Sequence, residues 1–224
     1  MKKITVLLAE DHEIVREGFR CLLSHEHDIE VVGEAETGRQ AVQLTRKLRP
    51  AVVVMDIAMP LLNGLEATRQ IRKACPDARV LILSAHSDDA YIEQVEALGA
   101  SGFLLKQTSS HVLATAIRAI QKGSTFFSPA ISKRMQASKG PAASRGSSKK
   151  SYNRLSSREV EVLQLIAEGK PNKQVAAELG VSFKTIDKHR QHLMAKLNIH
   201  DTAGLTRYAI SAGIIESSVQ LTIL

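Results

Sequence analysis

The chain has 224 residues, a formal net charge of +7 and no tryptophan. That length suits one large domain or two small ones, and no apolar run approaches the ~18 residues a membrane span needs. Charge is uneven: residues 1–125 hold 15 Lys and Arg against 16 Asp and Glu, while residues 126–224 hold 15 against 7. The whole positive excess therefore lies in the second half, which points to two domains, one of them facing a polyanion.

The first half alternates strand-like and helix-like stretches. Ile4–Ala9 is short, apolar and followed at once by Glu10-Asp11. It is too short for a signal peptide and is expected to be a first strand. Ile14, Phe19, Leu22 and Leu23 recur at helical spacing. Glu30–Glu36 reads as a strand, Ala41, Leu44 and Leu48 mark a helix, and Val52–Met55 is a β-branched run ending in Asp56. Such a run, bounded by turn residues, suits a strand buried on both faces. Gly64–Ala74 is a third helix and Arg79–Ser84 a fourth strand. Ala90–Leu98 is a helix, Gly102–Leu105 a fifth strand and Val112–Gln121 a fifth helix. Five strand–helix pairs imply a five-stranded parallel sheet with helices on both faces, an α/β fold.

After Gly123 the alternation stops. Residues 126–138 suit one more helix, and residues 139–151, rich in Ser, Gly, Pro and Ala, suit a flexible tether. Seven basic residues and no acidic one lie between Ser132 and Arg154. Residues 155–215 are helical throughout. Ser156 with Glu159 forms a capping box, and Asn172, Ser182 and Asp201 are expected to cap three further helices. Cys21 and Cys75 lack metal-type spacing and suit a reducing, cytoplasmic setting.

Two groups of residues carry chemistry. In a flavodoxin-like sheet, strands one and three are neighbours, so Glu10 and Asp11 face Asp56 across the carboxyl-end crevice. Three carboxylates in one cleft raise one another's pKa unless a cation joins them. A hard divalent ion, Mg²⁺ or Mn²⁺, prefers such oxygens. Lys106, after the fifth strand, brings a fixed cation to the same cleft, and Ser84, ending the fourth, brings a hydroxyl. In the second half, Val175 to Ser182 is a helix, a glycine turn and a new cap, the spacing of a helix-turn-helix. On the next helix Ile186, Leu193 and Leu197 face a core. Lys184, Asp187, Lys188, Gln191 and Ala195 face outward, suited to base edges and phosphates in a major groove.

Leu8-Ala9-Glu10-Asp11-His12, Met55-Asp56-Ile57-Ala58-Met59-Pro60, Asn63-Gly64, Ser84-Ala85 and Gly99 to Lys106 resemble the receiver domain of bacterial response regulators over residues 4–122. Leu155–Leu163, Asn172-Lys173, Lys184 to Arg190, Lys196-Leu197 and Tyr208-Ala209 resemble the LuxR-type helix-turn-helix of the NarL/FixJ response regulators. The resemblance implies a receiver at 1–124, a helix and basic linker at 125–151, and a DNA-binding domain at 152–224. It implies that a sensor histidine kinase phosphorylates Asp56. Asp11, Asp56 and the Ala58 carbonyl would bind Mg²⁺ directly, and Glu10 through water. Lys106 and Ser84 would meet the phosphoryl oxygens, and Phe103 matches the switch aromatic. Lys184, Thr185, His189, Arg190 and Lys196 fall among backbone contacts, while Asp187, Lys188 and Gln191 face bases. The helix from Asp201 corresponds to a dimerisation helix, implying a homodimer when phosphorylated.

Gln107 stands where many receivers have proline, so the resemblance does not carry a cis peptide to that bond. A phosphate-hydrolysing enzyme would need a second carboxylate two residues after Asp56. That place is Ala58, so a regulator is expected rather than an enzyme. The alternative is a constitutive DNA-binding regulator with an unphosphorylated receiver.

Overall fold

The computed structural model describes residues 3–85, 94–95, 97–127 and 155–215. It divides into two compact units, Met1–Ser147 and Ser148–Leu224. Among the described residues no helix is long and apolar enough to cross a membrane.

The first unit runs β1 (Ile4–Ala9), α1 (Glu13–Ser24), β2 (Ile29–Ala35), α2 (Gly38–Leu48), β3 (Val52–Asp56), α3 (Gly64–Ala74), β4 (Arg79–Ser84), β5 (Gly102–Leu105), α4 (Ser110–Gln121) and β6 (Phe126–Phe127). The strands lie side by side in the order β2-β1-β3-β4-β5-β6, and every pair is parallel. Strand residues alternate between two cores. Leu7, Val53, Met55, Val80, Ile82 and Phe103 face one, and Val6, Leu8, Val52, Val54, Leu81, Leu83 and Leu104 the other. All five residues of β3 are buried, as its unbroken apolar run requires.

The sheet has six strands where five were expected. Phe126 and Phe127 pair with Gly102 and Phe103, and Phe126 N–H donates to Ser101 O at 3.0 Å. Phe127 packs against one core and Phe126 against the other, the two-residue alternation of a strand. These two residues are therefore not helical. The rest of the expected helix to 138 and the tether at 139–151 lie outside the described residues. Of the helix expected at 90–98, the described residues 94, 95, 97 and 98 are helical.

Helix α1 is rotated from its expected face. Ile14 is 85% exposed and Leu22 42% exposed. Phe19 and Leu23 pack inward, and the buried position one turn before them is Arg16. A polar residue inside the buried stripe shifts the apparent apolar phase. Cys75 is buried and Cys21 exposed, both as free thiols.

The second unit comprises α5 (Ser157–Ala167), α6 (Asn172–Leu179), α7 (Phe183–Leu197) and α8 (Thr202–Ser211). The capping box of Ser156 and Glu159 forms at the start of α5. Ser182 and Asp201 cap α7 and α8 through Thr185 N–H and Gly204 N–H. Asn172 is not a cap: Pro171 holds that position and Asn172 begins α6. The cap falls one residue earlier because Pro171 has extended backbone and no N–H of its own to satisfy. Helix α5 is buried all round, from Val160 through Ile166, so it is the hub on which the other helices pack.

Gly64 sets β3 against α3. A Cβ there would stand 1.8 Å from Asp56 O, whereas one at Gly18 in α1 would meet nothing within 4 Å. Gly64→Ala is expected to destabilise the first unit by about 3 kcal/mol through overpacking. Gly18→Ala is expected to stabilise it by about 0.5–1 kcal/mol through helix propensity. Urea unfolding of the two variants checks the opposite signs.

Candidate functional site

The carboxyl end of the sheet collects five side chains from the ends of four strands. β1 and β3 are hydrogen-bonded neighbours, with Ala9 beside Met55, so Glu10 and Asp11 leave the sheet next to Asp56. Glu10, Asp56 and Ser84 are buried. Lys106 N–H donates to Ser84 O at 2.8 Å, which seats the lysine against the end of β4. Its Nζ lies 3.0 Å from Asp56 Oδ1 and donates to Glu10 Oε1 at 3.0 Å. Glu10 Oε2 is 2.8 Å from the same Nζ, although without hydrogen-bonding geometry. Asp56 Oδ1 also accepts from Ile57 N–H at 2.8 Å. Asp56 Oδ2 and Asp11 Oδ1 are buried atoms without a hydrogen bond among the described residues. Phe103 is fully buried on β5, Ala58 is half-buried in the turn after β3, and the Lys106–Gln107 peptide is trans.

In the second unit α7 presents two kinds of polar side chain. Lys184 and Lys188 are exposed. Gln191 donates to Asp187 Oδ2 at 3.1 Å, a pair one turn apart on the outer face. Arg190 and Lys196 are tied inward instead. Arg190 donates to Asn172 Oδ1 at 3.2 Å and to the Thr202 hydroxyl, joining α7 to α6 and α8. Lys196 donates to Glu159 Oε2 at 2.7 Å, joining it to the capping box of α5. The Thr185 hydroxyl lies 2.8 Å from that of Ser182 and belongs to the helix cap, and His189 is half-buried.

Residues 6–118 match the response regulator receiver domain family. Residues 153–209 match the family of bacterial regulatory proteins of the luxR type. The chain belongs to the response regulators. Similar relatives include the transcriptional regulatory protein DegU of Brevibacillus brevis, 35% identical over 89% of each chain. The transcriptional regulatory protein MctR of Rhizobium johnstonii is 38% identical over 95% of this chain and 96% of its own. Among solved structures, the RcsB response regulator of Salmonella typhimurium, described in terms of DNA interaction, is 30% identical. It covers 94% of this chain and 100% of its own at a TM-score of 0.57. RcsB has also been solved in complex with DNA.

In this response regulator one ammonium serves two buried carboxylates, and the charges show it. Burial pushes Asp56 up to about 6, and Glu10 pushes the same way, while Lys106 only partly offsets them. Burial pulls Lys106 down, yet Asp56 and Glu10 together outweigh it and hold the ammonium above its ordinary value. The two shifts agree once the lysine is counted as shared: it is held firmly, and neither carboxylate has it alone. His12 Nδ1 is 2.9 Å from Asp11 Oδ1 and 3.1 Å from Glu10 Oε1. Asp11, then Glu10, raise the pKa of this exposed imidazole.

Sequence reasoning missed two contributors. Glu10, Asp11 and His12 offer ligand atoms within 4.8 Å of one another, and the adjacency of His12 to the acidic pair was the available signal. Arg16 donates to Glu10 O at 2.7 Å and pairs with Glu34 and Glu36 at 3.2 and 3.0 Å. It bolts the backbone of Glu10 to the end of β2. Its position one turn into α1, on the same face as Phe19 and Leu23, was the signal.

The raised Asp56 value fixes a pH dependence. The native state binds this proton more tightly than the unfolded chain, whose ordinary value is 3.8. The stabilisation is therefore complete below pH 3.8 and is lost as pH rises through about 6. Asp56→Asn removes that loss. In metal-free buffer its stability relative to the parent should rise by about 2 kcal/mol between pH 4 and 7.5. Urea titrations at the two pH values measure it.

Proposed function

We propose that Asp56 is the phosphoacceptor of this response regulator and that α7 reads DNA. The observation that carries the first part is Asp56 Oδ2: a buried carboxylate oxygen, without a hydrogen bond among the described residues, at the end of the central strand. An atom so placed is available as a nucleophile. In the reaction, Asp56 Oδ2 forms the new bond to phosphorus as the phosphorus–nitrogen bond of a kinase phosphohistidine breaks. Lys106 offers its ammonium to the transferred group's oxygens, and Ser84 its hydroxyl. Phosphoryl transfer depends on in-line positioning and charge neutralisation more than on covalent help, and these side chains are held for both.

The donor set fits a divalent cation. Glu10 and Asp11 each carry a buried oxygen without a hydrogen bond among the described residues, Asp56 keeps Oδ1 beside its nucleophilic Oδ2, and hard oxygens are what Mg²⁺ or Mn²⁺ takes. Asp11, Asp56 and the Ala58 carbonyl would hold it, with Glu10 reaching it through water. When bound, the ion supplies charge neutralisation at the transferred group. The new dianionic group draws Ser84 towards it, and Phe103 repacks into the space so opened. That change favours pairing of two chains, so that two α7 helices reach adjacent major grooves. Linked half-sites then gain affinity through effective concentration. The outer face formed by Lys184, Thr185, Asp187, Lys188 and Gln191 supports the second part. Arg190 and Lys196 flank it, where a phosphate competes with Thr202 and Glu159 for them. We assign the receiver to 1–124, a connecting segment to 125–151 and the DNA-binding domain to 152–224, in a cytoplasmic protein.

Acetyl phosphate with Mg²⁺ should add one acid-labile phosphoryl group, absent from Asp56→Asn, and the labelled protein should sediment as a dimer. Mass spectrometry and sedimentation read both. Equal labelling of the Asn variant would sink the assignment of Asp56.

On DNA, binding should weaken as salt rises, by counterion release. Lys188→Ala should change preference among sites with the melting temperature unmoved. Arg190→Ala should weaken all sites alike and destabilise the second unit by about 1–2 kcal/mol, since it loses bonds to α6 and α8. Selection from random duplexes, beside thermal melts, separates the two behaviours.

A further inference from the structure

We infer that Phe183 is a specificity-determining residue that packs on the methyl group of a thymine in the major groove. The inference rests on the reading of α7 as the DNA-reading helix and adds an apolar contact to its polar face. Phe183 opens α7 and is 56% exposed. It is the one exposed aromatic among the described residues.

Nothing in the local fold needs an aromatic ring at this place. The apolar pair that staples a helix start lies one residue before the cap and four after it. Those positions are Val181 and Ile186, and Ile186 is fully buried. The cap itself is polar: Ser182 Oγ accepts from Thr185 N–H at 3.1 Å and meets the Thr185 hydroxyl at 2.8 Å. These bonds fix the first turn and so hold the ring on a rigid support.

Position and surroundings choose the occupant. Phe183 stands one turn before Asp187 and two before Gln191, along the edge of the outer face. The amino-terminal residues of a recognition helix are those that reach base edges. Its neighbours Ser182, Lys184 and Thr185 are exposed and polar. A protein partner would be met by a continuous apolar patch with a polar rim, and here a single ring stands among cations and hydroxyls. The major groove presents the matching object, an isolated methyl group at C5 of thymine flanked by acceptors and phosphates.

Replacing thymine by deoxyuridine removes that methyl and nothing else, so it tests the contact directly. The full-length protein, treated with acetyl phosphate and Mg²⁺, first selects a site from random duplexes. Each thymine of that site is then exchanged in turn and affinity measured by anisotropy. One thymine in each half-site should lower affinity about fourfold when exchanged, the effect of burying one methyl. Phe183→Ala should bind the parent site more weakly and show no difference between thymine and uracil there. Phe183→Leu, which keeps an apolar tip, should retain part of the difference and decides the matter if the alanine variant fails to melt cooperatively. A Phe183→Ala protein that discriminates as the parent does, or a parent indifferent at every thymine, overturns the inference while leaving α7 as the reader. A parent that selects no site overturns the reading of α7 and the inference with it.

Discussion

One lysine ammonium holding two buried carboxylates is the interaction on which the first unit turns. Lys106 is within 3.0 Å of both Glu10 and Asp56. Burying a carboxylate is costly unless an opposite charge or hydrogen bonds compensate it. Here compensation is divided, so Asp56 keeps an oxygen without a hydrogen bond among the described residues and an elevated proton affinity. The order of the strands makes this possible. Only because β1 and β3 are neighbours, and β4 and β5 follow, do residues 10, 56, 84 and 106 converge. Arg16 adds the support from outside, fixing Glu10 through its carbonyl.

The second unit uses polar bonds differently. Its hub, α5, is buried from Val160 through Ile166, and apolar packing supplies most of what holds the helices. Arg190 and the Glu159–Lys196 pair then register α7 against its neighbours. Burial pushes Glu159 up, but Lys196 and the Ser156 hydrogen bonds outweigh that and hold it below its ordinary value. The same carboxylate thus completes a helix cap and anchors the last turn of another helix.

Much of this was legible in the sequence, and the failures have physical causes. Strands β1, β3, β4 and β5 were readable because their apolar runs are nearly unbroken and end at turn residues. The site was readable because its members are the first polar residues after those runs. Phe126-Phe127 was not, since two residues carry no period and their pairing depends on the open edge of β5. Ile14 misled because hydrophobicity stood in for burial, while the buried position of that helix is Arg16. The partners of Arg190 were invisible for a similar reason: a long side chain can turn back onto its own fold, and spacing along a helix does not say which way it turns. Asn172 shows the same limit at a cap, where the preceding proline took the place and the amide went to Arg190.

The division of labour on α7 has an evolutionary consequence. Ile186 and Leu193 are buried, and Arg190 and Lys196 are bound to other helices, so each carries the fold. Lys184, Lys188 and Gln191 carry none of it beyond the local pair of Gln191 with Asp187. On the proposed reading of α7, substitutions at these places alter recognition at little cost in stability, so a duplicated copy of this chain could acquire new target sequences one residue at a time without passing through an unfolded ancestor.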